Sequence, residues 1–424
     1  MKRASDRHHP EAAARRSLVL AAAGLLAAGA LLGIGAGRPR AAEASRPAPA
    51  LPAATAQSGG TLSARRDQRS WHDEVFIVGG RDNEGKPVKS VEFYDAAGDR
   101  FWRGPDNSDI QGLHTATRLA DGRVLIVGNV GSRLVARAVV YDPRHQSLRS
   151  AARRLRVEAL DLVRPRSQID RSGHTATLLK DGKVLIVGGH NRFYRALAAA
   201  ELYDPARSAF GSLQPMRVAR VYHSATLLPD GRVLVAGGED DHGNVLSRAE
   251  LYDPARKRFA EAGPMASARE FHSATLLPDG RVLVAGGENA SGILDSAELY
   301  DPVRNAFSPA GEMAAPRAWH TATLLVPGQV LITGGRGTAE HPLATTEVYY
   351  PETGRFAPGP PMLWPRAYHT ATLLADGRVL LAGGFGGRYG TLNTAELFDP
   401  ATGGLSQAAP MVAARRGHSA TLLR

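Results

Sequence analysis

Residues 272–307 read HSATLLPDGRVLVAGGENASGILDSAELYDPVRNAF, and this stretch decides the fold. His272–Leu277 is β-rich and alternating, as a first strand should be. Asp279-Gly280 follows as a hairpin signal, because Gly accepts positive φ without steric cost. Val282–Gly286 is apolar on successive residues, the mark of a strand covered on both faces. Ala297–Pro302 returns as a third strand and stops at Asp301-Pro302, since Pro supplies no ladder donor. The segment around Phe307 makes a fourth. Working outward, the His-Ser/Thr-Ala-Thr phrase recurs at His114, His174, His223, His272, His320, His369 and His418, in steps of 60, 49, 49, 48, 49 and 49. A Gly-Gly doublet (Gly128-Asn129 once), a Tyr-Asp-Pro-like phrase and an aromatic or Leu seven residues later accompany it in fixed order. A period near 49 with four landmarks marks a propeller blade. Helical periodicity of comparable strength is absent from 71–424.

The doublet, the Tyr (Tyr94, Tyr141, Tyr203, Tyr252, Tyr300, Tyr349, with Phe398 in the last unit) and the following apolar slot (Phe101, Leu148, Phe210, Phe259, Phe307, Phe356, Leu405) closely resemble the kelch repeat, whose pattern has Trp in that slot. The fold expected is an all-β, seven-bladed kelch-type propeller over 71–424. The first unit begins at strand two, Val75–Gly80, and the chain ends on a strand one, His418–Leu423. Pairing of the two would close the ring and leave no sheet edge open. The interval from Tyr141 to His174 is 33 residues against 20 elsewhere, which places an Arg-rich insertion at about 144–171. That insertion reads as a short helix over Ala151–Leu162, either solvated or docking an anionic partner.

A chain of 424 residues with 43% apolar residues can bury a large core, and the absence of cysteine excludes disulfides, thiolate metal sites and a cysteine nucleophile. The formal charge of +11 gathers in residues 1–44, 45–70 and 144–171, so the folded body is near neutral and nucleic acid is not an expected partner. Residues 1–44 read as an export signal: Arg15-Arg16 precedes the uncharged run Leu18–Gly37, and Ala42-Glu43-Ala44 fits a cleavage site. The arginine pair resembles a twin-arginine signal. A periplasmic or secreted propeller follows, with no membrane span after cleavage; the alternative is an anchor through 18–37. Residues 45–70, rich in Pro and Ala, read as a disordered linker.

Six of the repeat histidines follow an arginine three residues earlier: Arg171, Arg220, Arg269, Arg317, Arg366 and Arg415, with Gln111 in the exceptional unit. The simplest reading is a structural tie between strand one and the neighbouring blade. The alternative is a guanidinium ring at one channel mouth that holds carboxylate or sulfate. Histidines dispersed one per blade do not suit a metal centre, and no metal or cofactor is expected. Met216, Met265, Met313, Met362 and Met411 share one repeat position and read as packing.

Function in such a ring lies where the copies differ. The residue before each repeat histidine is aromatic in four successive blades, Tyr222, Phe271, Trp319 and Tyr368, and the loops after the Gly doublets add Arg192, Tyr194, Asp241, His242, Arg388 and Tyr389. Both sets should emerge on one face, where aromatics among acids and arginines suit a glycan or peptide; filling of the gaps between blades is the plainer role for the aromatics. Glu239–His242 reads as an acidic surface turn rather than a calcium loop. The expected function is an exported, monomeric binding module without catalytic residues, holding a glycan, a peptide or an envelope protein. The alternative rests on resemblance to periplasmic kelch-type sialic-acid mutarotases, which implies acid–base residues in the mouth. Resemblance to galactose-oxidase-like enzymes implies a copper–radical site built on a Tyr–Cys cross-link, which a chain without cysteine cannot form.

Overall fold

The computed structural model describes residues 73–106, 113–128, 137–145, 147–150 and 171–423. The export signal and the linker lie outside the described residues, as do residues 151–170 of the insertion with its expected helix.

Blade 5 shows how one repeat becomes one sheet. Ser273–Leu276, Val282–Ala285, Ser296–Asp301 and Ala306–Glu312 pair antiparallel in that order. The first hairpin is closed by Leu277 N–H donating to the Arg281 carbonyl at 2.8 Å, with Gly280 at φ +87°. Only the glycine turns left-handed there, so the Asp-Gly signal forms a three-residue loop rather than a two-residue one. The third strand ends where the Asp301 carboxylate caps the Val303 and Arg304 N–H groups at 2.8 and 3.1 Å.

Seven such four-stranded sheets stand around a channel. Their inner strands are Thr115–Arg118, Thr175–Leu178, Ser224–Leu227, Ser273–Leu276, Thr321–Leu324, Thr370–Leu373 and Ser419–Leu423, each in contact with the next and the last with the first. Closure is as expected: Ser419–Leu423 pairs antiparallel with Glu74–Val78, in the register Glu74 to Leu423 and Val78 to Ser419. Blade 1 is therefore completed by the last strand and blade 7 by Gly404–Ala408.

The core is a set of slabs between blades. Leu234, Ala236 and Leu251 of blade 4 meet Val282, Val284 and Tyr300 of blade 5, with Met265 filling the seam. All five repeat methionines are buried at this position. The second strand of each blade feeds a slab on both faces, which is why its residues are uniformly apolar. Each such side chain contributes about 1.5–3 kcal/mol through burial.

Candidate functional site

The segment that leads into each inner strand decides what the channel mouth can present. In blade 4 the Arg220 side chain is fully buried. Its Nη1 donates to the Gly237 and Arg248 carbonyls at 2.8 and 3.0 Å, and its Nη2 to Glu250 Oε1 at 2.9 Å. Glu250 also accepts the Arg217 and Val218 N–H groups. The same unit recurs as Arg171–Glu201, Arg269–Glu298, Arg317–Glu347, Arg366–Glu396 and Arg415–Glu92 at 2.5–3.0 Å. Burial pushes Arg171 below and Glu201 above its ordinary pKa, and each charge holds the other back.

The six arginines therefore do not form an anion-binding ring at the mouth. Their guanidiniums are spent on buried carbonyls and carboxylates, since an unpaired buried charge is too costly to keep. The side chain also ties its segment to its own blade rather than to the neighbour. The backbone makes the cross-blade tie: Arg220 N–H donates to the Leu197 carbonyl of blade 3, and Gly189 N–H of blade 3 donates to the Arg220 carbonyl. The Gly doublet makes room for this. A Cβ at Gly188 would lie 2.5 Å from that Arg220 carbonyl, and one at Gly189 would lie 2.8 Å from the Ser172 carbonyl of its own blade. The glutamate partner escaped the sequence reading, although its signal is present. Glu stands two residues before the repeat Tyr in six units, and the unit with Gln111 in the arginine slot has Val139 instead.

The repeat histidines link blades. His174, His223, His272, His320, His369 and His418 each place Nε2 2.8–3.1 Å from the Ser or Thr hydroxyl that opens the preceding blade's inner strand. Burial, then the nearby arginine, holds His272 and His320 down to about 3, so both rings are neutral.

Directly before them the chain makes a belt. Tyr222 N–H donates to the Gly173 carbonyl, Phe271 to Tyr222, Trp319 to Phe271, Tyr368 to Trp319 and Gly417 to Tyr368, at 2.9–3.3 Å, and Gly173 itself donates to Leu113. Every belt residue is left-handed, including Tyr222 at φ +58°, Phe271 at +53°, Trp319 at +58° and Tyr368 at +58°. For bulky side chains this conformation costs about 1–3 kcal/mol each. The four rings touch in series: Tyr222–Phe271 at 4.3 Å between centroids, Phe271–Trp319 stacked at 3.7 Å, and Trp319–Tyr368 at 4.5 Å. The four aromatics thus form a continuous arc over blades 4 to 7, in which Phe271 is buried and Tyr222, Trp319 and Tyr368 are half-buried.

The loops after the Gly doublets stand beside the belt. The residue two before each histidine bridges the residue just past the doublet, as in Val221 with Glu239, Glu270 with Glu288, Ala318 with Arg336, and Ala367 with Phe385. The expectation that both connections share one face is met for this reason. His190 extends the arc outward, 6.2 Å from Tyr222 and 5.3 Å from Tyr194, which is exposed. Burial, with the Glu270 and Glu239 carboxylates, raises the pKa of Tyr222. Glu288 is ion-paired with Arg336 of the next blade.

The remaining candidates sit further out. Arg192 lies over the exposed Phe193 ring, Asp241 is paired with Arg195 at 3.1 Å, and the His242 side chain is exposed. Arg388 donates to the Tyr389 hydroxyl, and the Tyr389 ring meets buried Trp364 edge-on at 5.2 Å. The arc does not include them. At the opposite end of the channel, arginines that follow the Asp-Gly turns clamp blades together. Arg232 reaches the Pro302 carbonyl and Arg378 the Ala96 carbonyl, each at 3.2 Å.

Among the described residues no group of three or more His, Asp or Glu side chains is placed to hold a metal ion. A family model for the Kelch motif matches residues 272–314, which span blade 5. Among solved structures, a fungal alcohol oxidase of the AA5 family in complex with copper is similar in fold. It is 18% identical with a TM-score of 0.58, over 74% of this chain and 67% of its own. No curated protein matches the chain. Seven four-stranded sheets closed by the last strand make the fold a seven-bladed β-propeller, one blade of which matches the Kelch motif.

Proposed function

We propose that this propeller is an exported, non-enzymatic binding module that holds a glycan at the aromatic mouth. One observation carries the reading. Blades 3 and 1 place Gly173 and Gly417 at the belt position, where left-handed backbone is free of strain, while blades 4 to 7 place four large aromatics in the same conformation. Strain of that kind is retained where a surface is used.

The chemistry favours a sugar over a peptide. From Gly173 to Tyr368 every belt N–H and C=O group is consumed, and the adjoining bridges of those blades consume the next set. Along that arc a peptide adding itself as a strand finds no open backbone edge. A sugar needs none: its apolar face covers aromatic rings, and its hydroxyls meet side chains such as Glu239, Arg336 and His190 on the rim. Export rests on the reading of residues 1–44. A second, catalytic reading has one observation behind it, the Tyr222 hydroxyl set among carboxylates. It would require sugar anomer interconversion by the purified chain.

The test is a glycan array followed by titration with wild-type chain and Trp319→Gly. Glycine relieves the strain and removes the central ring, so affinity should fall by about 30-fold, the effect of losing an interface anchor worth about 2 kcal/mol. The free energy of unfolding should change by less than about 1 kcal/mol. If Trp319 served only to pack the blades, the substitution would instead cost about 3–5 kcal/mol of stability and leave glycan binding intact, and the proposal would fall.

A further inference from the structure

Blade 1 breaks the pattern of the mouth in three ways. Its bridge pairs Arg81 with Arg416: each N–H donates to the other's carbonyl, at 2.9 and 3.0 Å. Residues that exchange both bonds in an antiparallel ladder point their side chains to the same side, about 5.5 Å apart at Cα. Like charges set opposite one another are unfavourable. Neither guanidinium has a carboxylate partner among the described residues. Arg81 Nη1 donates to the Gly85 carbonyl, while Arg416 lies half-buried over the Phe385 ring at 5.2 Å. Asp82, near enough to favour the charged form of Arg416, spends its Oδ1 on the Glu84 and Lys86 N–H groups of its own loop.

The second departure is a gap. The aromatic arc ends at Tyr368, and the next belt residue is Gly417, whose Cβ would meet nothing within 4 Å. Gly173, the other glycine of the belt, has no such room: a Cβ there would lie 2.8 Å from Val221 and 2.9 Å from the Tyr222 ring. The third is composition. Where blade 1 sets two arginines opposite each other, blade 5, inside the arc, sets Glu270 opposite Glu288 at the same bridge.

We propose that the gap at Gly417 is a subsite for a sugar bearing a carboxylate, with its ring against Tyr368 and its carboxylate on Arg416 and Arg81. This rests on the glycan reading of the mouth and adds the charge and polarity of the ligand. A planar carboxylate matches the guanidinium fork and relieves the repulsion between the two arginines.

The test uses the full chain with three probes: an oligogalacturonate, its fully methyl-esterified form with the same rings uncharged, and poly-glutamate. Wild-type protein should bind the acid about tenfold or more tighter than the ester, as charge-assisted hydrogen bonds provide. Arg416→Gln should abolish that preference by weakening the acid far more than the ester, and Arg81→Gln should reduce it. Gly417→Phe, a residue type the belt already accepts, should close the subsite and weaken the acid. Equal affinity for acid and ester in wild type, or a preference that survives Arg416→Gln, overturns the subsite but not the mouth. Ester binding indifferent to Trp319→Gly overturns the mouth. Poly-glutamate binding as tightly as the oligogalacturonate overturns the sugar. Failure of the chain to bind any probe overturns both readings.

Discussion

Breaking one Arg–Glu unit from either side should cost far more than replacing both partners together. Arg366 and Glu396 are both fully buried and 2.6 Å apart. Glu396→Val leaves a buried guanidinium without its carboxylate and orphans the Leu363 and Trp364 N–H groups that Glu396 accepts. Arg366→Gln leaves a buried carboxylate and removes donors from the Gly383 and Thr394 carbonyls. Each single substitution should cost about 3–5 kcal/mol. The double variant recreates what blade 2 already carries, Gln111 with Val139, and Val139 is buried there. It should therefore cost about 2 kcal/mol less than the two singles added, a coupling within the range of contacting pairs. Urea midpoints by tryptophan fluorescence, compared at unchanged m, measure all four corners of the cycle. Singles that add to within about 0.5 kcal/mol, or a Glu396→Val variant that costs less than about 1 kcal/mol, would refute the claim that the pair is held as a unit.

Two further outcomes follow from the same geometry. His272 and His320 are held near 3 in the fold, against 6.5 for an unperturbed ring, so the unfolded chain binds more protons between those values. Their contribution is complete above about pH 6.5 and drains as pH falls toward 3, by up to ~1.4 kcal/mol per pH unit for each ring; urea midpoints at pH 7.5 and pH 5 check this, and a flat response would count against it. Deleting Ser419–Arg424 bares one edge of Glu74–Val78, which stays paired with Ser90–Asp95 on the other. The single cooperative calorimetric transition expected of the intact chain should be lost and aggregation through the bared edge should appear, whereas an unchanged melting curve would show that the ring does not depend on its last strand.

Much of this fold is legible in the sequence because its signals are contiguous. Alternation in HSATLL, the apolar run of VLVAG, and the stops at Asp-Gly and Asp-Pro are local choices, repeated until chance is no explanation. Blade count and closure follow by subtraction from the period. The arginines show where that reading ends. A residue repeated six times beside a histidine reads most simply as a structural tie, but its repetition leaves a surface ring open. Its burial depends on a glutamate about 30 positions away, on a strand whose own landmarks are Tyr and Asp. The aromatics show the converse. Their recurrence before the histidine was visible, but contact between them depends on a left-handed backbone at each belt position and on hydrogen bonds between blades. Arg81 and Arg416, from opposite ends of the propeller, meet only because the ring closes. Sequence alone determined the repeating unit, since strands and turns are written in neighbouring residues. Tertiary structure decided which charges are buried and which face the mouth, since packing between blades selects each charge's partner.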